Sequence, residues 1–157
     1  MPHLKIEVTV IDNNGDRSKM TSNYYFIKND VSNHEFNVHQ MISNMDIVNV
    51  PQIYDYDKDT KILKMRRIPN MCVADMYGEN FDDIPEDVTE KIRDIIGTLY
   101  LKGVEYPDIT GYNFIEYQDK VWIIDFEHAS FNSKYNTYDP FIKQFIQGHN
   151  GWNPRFA

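Results

Sequence analysis

The spacing of apolar positions changes along the chain, and each change marks an expected element. Leu4, Ile6, Val8 and Val10 alternate with Lys5, Glu7 and Thr9, the period-two pattern of a half-buried strand. Asp12-Asn13-Asn14-Gly15-Asp16 is a turn signal, because Asn and Gly tolerate positive φ. A second strand then ends in Tyr24-Tyr25-Phe26-Ile27-Lys28. Ser32-Asn33-His34-Glu35 has capping-box spacing and should open a helix. Phe36, Val38, Met41, Ile42 and Met45 supply its apolar stripe, with His34 and His39 expected on the exposed side.

Val48 to Tyr54 and Lys61 to Met65 read as two further strands around a turn at Asp55 to Thr60, and a short helix is expected near Val73 to Tyr77. The clearest helix starts after Asp83 and Pro85 and stops at Gly103, with Val88, Ile92, Ile95, Ile96 and Leu99 on one face. Phe114 to Tyr117 and Val121 to Ile124 form a hairpin around Gln118-Asp119-Lys120, and Asp139 to Ile146 could form a last helix. Strands, helix, strands, helix, hairpin and helix in that order make an α+β fold.

Composition narrows the classes. The chain has 157 residues, one domain's worth. Apolar residues make up 41%, enough for a folded core rather than disorder. Sixteen Lys and Arg against 24 Asp and Glu give a net charge of −8, which argues against a general phosphate-backbone binder but leaves a local basic site open. No nucleic-acid partner and no membrane partner are expected, since no apolar run exceeds four residues. Cys72 stands alone, which excludes an intramolecular disulfide and a cysteine zinc cluster. With no secretion signal in the first residues, a cytoplasmic setting is expected. Nine Phe and two Trp are compatible with a homodimer, and equally with core packing. Trp152-Asn153-Pro154 should pack the tail and suggests no chemistry of its own.

Candidate chemistry concentrates between Asp108 and Glu127. Asp108 and Asn113 lie five apart on one loop, and Asp125 ends the strand that follows the hairpin. The hairpin should gather all three at one end of its strands. Two carboxylates and an amide oxygen are hard ligands, suited to Mg²⁺ rather than zinc. Any one of the three could serve only as a cap or turn residue, and Glu35 could do no more than close its capping box.

This ordered set resembles the catalytic and metal-binding loops of the protein-kinase superfamily, His-Arg-Asp-Leu-x-x-x-Asn followed by Asp-Phe-Gly. The resemblance runs from about residue 20 to 146. It is nearest to small atypical kinases of RIO or lipopolysaccharide-kinase type, and to short kinase-like proteins of large DNA viruses. It implies a reduced two-lobed fold: residues 1–68 a β-rich lobe with a small antiparallel sheet and one helix, residues 69–157 a truncated helical lobe with the catalytic hairpin. It further implies transfer of the ATP γ-phosphoryl group to a hydroxyl acceptor, a protein Ser/Thr or a small molecule. Asp108 would accept the acceptor's proton, while Asn113 and Asp125 would hold Mg²⁺. Lys28 would contact phosphates, oriented by Glu35; Lys19 is the alternative lysine. Met65, Ile68, Ile115 and Ile124 would sandwich the adenine, with Met65-Arg66-Arg67-Ile68 as the hinge. A viral source would place the protein in host cytoplasm or virion.

Several positions depart from the pattern. Tyr106 and Pro107 replace the His and Arg before the catalytic Asp, Thr110 stands where a Lys is common, and Glu127 replaces the Gly after Asp-Phe. The glycine-rich phosphate loop is absent, and Gly15 is the sole glycine before Gly78. Two alternatives therefore stand beside a minimal kinase: a pseudokinase acting as a nucleotide- or partner-binding module, and an acidic interaction protein without a nucleotide site.

Overall fold

The computed structural model describes residues 8–11, 17–20, 24–132 and 139–156. The fold is α+β, with four helices and small antiparallel sheets among these residues. The expected strand over residues 4–7 and the turn at 12–16 lie outside them.

Strands β1 (Val8–Ile11) and β2 (Arg17–Met20) pair antiparallel, Val8 opposite Met20, as a two-stranded ribbon. β3 (Tyr25–Lys28) belongs to another sheet. It pairs with β5 (Ile62–Arg66), which also pairs with β4 (Ile53–Asp57). The chain running into Lys28 thus supplies strands to two sheets, where one strand was expected. β4 begins at Ile53 instead of Val48 and continues through Asp57. The cause is upstream: the Asn49 carbonyl accepts the Ile123 N–H at 3.0 Å, tying this stretch to the later hairpin, and Pro51 has no N–H to give a ladder.

Between β3 and β4 lies α1 (Asn33–Met45), whose Ser32 cap accepts the Glu35 N–H at 3.0 Å. Val38 and Ile42 are buried, but Met41 and Met45 are 47% and 37% exposed, so the apolar stripe is narrower than its sequence. His39 corrects the expectation in the other direction, being buried at 1% exposure. Its Nε2 pairs with the Pro51 carbonyl at 2.8 Å and its ring lies 4.9 Å from Phe126, so an imidazole fits inside without an unmet polar atom.

α2 (Val73–Tyr77) and α3 (Glu86–Leu101) form where periodicity puts them. Val88, Ile92, Ile95, Ile96 and Leu99 are all buried, each contributing at most about 1.5–3 kcal/mol. α3 stops where Gly103 takes φ +79°, which a side chain would disfavour. β6 (Val104–Glu105) pairs with β9 (Ser130–Phe131), a two-residue contact too short to leave a pattern. Between them, β7 (Phe114–Tyr117) and β8 (Lys120–Ile123) make the expected hairpin. Its turn shrinks to Gln118-Asp119, both at positive φ, with Lys120 paired to Tyr117. α4 (Pro140–Ile146) is capped by Asp139 and packs on α3.

Two apolar clusters form among the described residues. Val31, Leu63 and Met65 form a small one with Phe26, Phe36, Ile53 and Tyr56. A larger one joins α3 to Tyr106, Ile109, Phe114, Ile123 and Phe126, and takes Val38 and Ile42 from α1. Helix α1 therefore serves both, and an open cleft lies where the three-stranded sheet faces the β7–β8 hairpin. Among the described residues no helix is long and apolar enough to cross a membrane.

Candidate active site

Three elements far apart in sequence meet at one ammonium group. Lys28 ends β3, Glu35 occupies the first turn of α1, and Asp125 follows β8. Lys28 Nζ lies 2.5 Å from Glu35 Oε2 and 3.0 Å from Asp125 Oδ1. The Lys28 and Glu35 side chains are 8% and 4% exposed, so water screens this contact little. Ser32 still caps α1, but the Glu35 carboxylate turns to Lys28. Between the two lysines considered, Lys28 is the one that meets the acidic pair; Lys19 lies on β2, in the separate ribbon.

Burial works against the Lys28 charge, yet the Asp125 and Glu35 carboxylates outweigh it and hold its pKa above the usual lysine value. Burial also pushes the Glu35 carboxyl up, opposed by Lys28 and reinforced by Asp125 and Glu127. Both directions describe one arrangement. A single ammonium serves two carboxylates, so the trio keeps one negative charge unneutralised.

The Asp108 loop is held against this trio through its backbone. Asn113 Nδ2 donates to the Asp108 carbonyl at 2.8 Å, and the Ile124 N–H donates to the Asn113 carbonyl at 3.1 Å. The Tyr106 hydroxyl donates to the Asp125 carbonyl. Tyr106 thereby joins the start of the loop to the acidic strand end. Nothing in the local sequence announces this bond, since 19 positions separate its partners. Burial raises the Asp108 carboxyl pKa; Asn113 and His128 oppose the rise, while Asp125 and Glu127 add to it. Glu127 is not among the positive-φ residues, so a side chain after Asp-Phe costs no backbone strain here.

Beside the trio the cleft has a volume of about 740 Å³, within the range of small-molecule sites. Phe26, Met65 and Ile68 line it from the sheet side, Asn113, Ile115, Ile124 and Asp125 from the hairpin side. Six predicted residues thus face one space: Met65, Ile68, Ile115, Ile124, Asn113 and Asp125. Asp108, Lys28 and Glu35 are not in its lining, and Lys28 meets it through Asp125. Arg66 and Arg67 of the expected hinge also line it, as do Cys72 and Tyr112, which carried no assigned role in the sequence.

Among the described residues, no group of three or more His, Cys, Asp or Glu side chains could hold a metal ion. Asp125 and Asn113 both line the cleft, and their carboxylate and amide oxygens would make a two-residue set. That suits a hard ion which keeps waters and takes phosphate ligands, as Mg²⁺ does, and not a closed zinc site. The unneutralised charge of the trio fits a cation there as well.

No protein-family model matches the chain. Among curated proteins it is similar, at 36% identity over 76 residues, to a Methanocaldococcus jannaschii protein named a probable bifunctional tRNA threonylcarbamoyladenosine biosynthesis protein. The match covers 48% of this chain and 13% of that protein, so the chain corresponds to only a small part of its relative's length.

Proposed function

We propose that the chain is a minimal two-lobed, kinase-like phosphotransferase that moves the γ-phosphoryl group of ATP to a hydroxyl acceptor, a protein Ser/Thr or a small molecule. The observation that carries this reading is the Lys28–Glu35–Asp125 trio, with Lys28 and Glu35 buried, beside a cleft lined by Met65, Ile68, Ile115 and Ile124. Lys28, held protonated by two carboxylates, would offer its positive charge to phosphate oxygens were Asp125 drawn to a cation. The apolar lining offers flat contact for an adenine ring. Asp125 and Asn113 would hold Mg²⁺, which when bound neutralises charge on the phosphate oxygens.

In this reading Asp108 takes the proton of the acceptor hydroxyl as its oxygen bonds to phosphorus and the bond to the bridging oxygen breaks. Its raised pKa makes it a better base than an ordinary aspartate. Asn113 fixes the loop, and its amide oxygen would be available to hold the cation. Lys28 would keep Glu35 as its partner were Asp125 to hold the cation. The cytoplasmic setting belongs to the same proposal.

Thermal melting with and without Mg·ATP tests binding. Saturation at about 100 Kd should stabilise the chain by about 2.7 kcal/mol, and Asp125→Ala should abolish the gain. No shift in the parent chain would end the reading. Phosphate transfer compared with Asp108→Ala then separates a kinase from a pseudokinase, the alternative favoured by the missing glycine-rich loop.

A second reading rests on the archaeal relative: a phosphotransferase unit serving tRNA threonylcarbamoyladenosine biosynthesis, supported by 36% identity over 76 residues. ATP turnover stimulated by tRNA at low salt would support it, and a rate indifferent to tRNA at any salt would remove it. The net charge of −8 makes a partner protein, rather than this chain, the expected holder of the tRNA.

A further inference from the structure

The Trp152-Asn153-Pro154 segment returns to the Asp108 loop. We propose that Asn153 is a positioning residue that clamps the Asp108 loop in its reacting geometry. The meaning of that geometry rests on the phosphoryl-transfer reading.

Asn153 is 1% exposed, and its polar groups are used on both sides. Its Nδ2 donates to the Pro107 carbonyl at 2.8 Å, and its backbone N–H donates to the Ile109 carbonyl at 2.9 Å. These two carbonyls flank Asp108, whose own carbonyl accepts from Asn113 Nδ2 at 2.8 Å. Three successive carbonyls are thus each held by an asparagine. Within the loop, Ile109 N–H to Pro107 carbonyl and Thr110 N–H to Asp108 carbonyl only close the turn on itself. Asn113 and Asn153 tie it to the surrounding structure.

The rest of the tail holds Asn153 in place. Asn153 Oδ1 accepts the Arg155 N–H at 3.1 Å, and its carbonyl accepts the Phe156 N–H at 3.0 Å. Trp152 packs edge-on against Phe81, centroids 4.8 Å apart, and lies nearly parallel to Phe114. A Cβ on Gly151 would fall 2.8 Å from Phe81 Cγ, so glycine permits that approach. Packing alone would explain Trp152. It does not explain a buried amide, which costs stability unless both its donor and its acceptor are met.

Asn153→Asp is the informative change, because it keeps the shape and turns a donor into an acceptor facing the Pro107 carbonyl. Asn153→Ala serves if the aspartate variant does not fold. Two measurements are made on the full chain: amide hydrogen exchange by mass spectrometry, and steady-state ADP release from Mg·ATP. Ile142→Val, in α4, controls for a general loss of stability. Expected for Asn153→Asp is exchange at residues 108–113 at least about tenfold faster, with α3 and α4 unchanged; kcat should fall at least about tenfold and KM for ATP stay within about twofold. Loop exchange equal to the parent overturns the inference, as does a rise spread evenly over α3 and α4 like that of Ile142→Val, or an unchanged kcat. A parent chain that releases no ADP would sink the phosphoryl-transfer reading by itself, and the exchange measurement would still decide whether Asn153 clamps the loop.

Discussion

Replacing Lys28 by Met removes the one cation between Glu35 and Asp125 while keeping an aliphatic stem in the same space. The two carboxylate oxygens lie 2.5 and 3.0 Å from the same nitrogen, so at most 5.5 Å separates them. With an effective dielectric of about 20, two like charges at that distance repel by about 3 kcal/mol, in line with the 3–5 kcal/mol cost of breaking a buried pair. Protonating Glu35 is the escape. From an ordinary glutamate pKa of about 4.3, that costs about 5 kcal/mol at pH 8 but only about 1 kcal/mol at pH 5.

The sign follows. A carboxyl whose pKa is raised in the folded state loses stability as pH climbs from its unfolded value through its folded one. Lys28→Met should therefore cost about 3 kcal/mol at pH 8 and about 1 kcal/mol at pH 5, each relative to the parent at the same pH. Urea unfolding at the two pH values reads both numbers. A loss below about 1 kcal/mol at pH 8, or one that does not shrink at pH 5, would refute the account of the trio as one ammonium between a buried and a part-buried carboxylate.

Other consequences can be checked independently. Burial lowers the His39 pKa to about 4, opposed by the Pro51 carbonyl, so the folded state holds it neutral. Its contribution is complete above pH 6.5 and is lost as pH falls towards 4, by at most about 3 kcal/mol; the difference in urea midpoint between the parent and His39→Gln should shift over that window, and a flat difference would contradict it. A Cβ on Gly111 would lie 3.0 Å from Ala74 Cβ and 3.1 Å from its backbone nitrogen, so Gly111→Ala should cost about 1–3 kcal/mol in chemical denaturation. Because Gly111 starts the turn that carries Asn113, the same change should weaken Mg·ATP stabilisation; an unaltered melting shift would show that the turn can move without disturbing the cleft.

What the sequence decides by itself is local. Period and capping place α1, α2, α3 and the β7–β8 hairpin, because helix phase, Ser caps and turn residues act within a few positions. The order of Lys28, Glu35, Asp108, Asn113 and Asp125 is equally legible, and the geometry joins Lys28 to Glu35 and Asp125, and Asn113 to the Asp108 loop. What it does not decide is sheet membership and burial. Whether Lys28 belongs with β5 or with the β1–β2 ribbon depends on pairing between strands far apart. His39 reads as an exposed helix residue until the Pro51 carbonyl is placed beside it. Glu35 keeps its two readings until tertiary packing brings Lys28 within 2.5 Å. The hydrogen bonds of Asn153 to the Asp108 loop span up to 46 positions, and no periodicity reaches that far. Such contacts exist only once the large core has set the distance between the tail and the loop, because a hydrogen bond needs its partners placed to within tenths of an ångström.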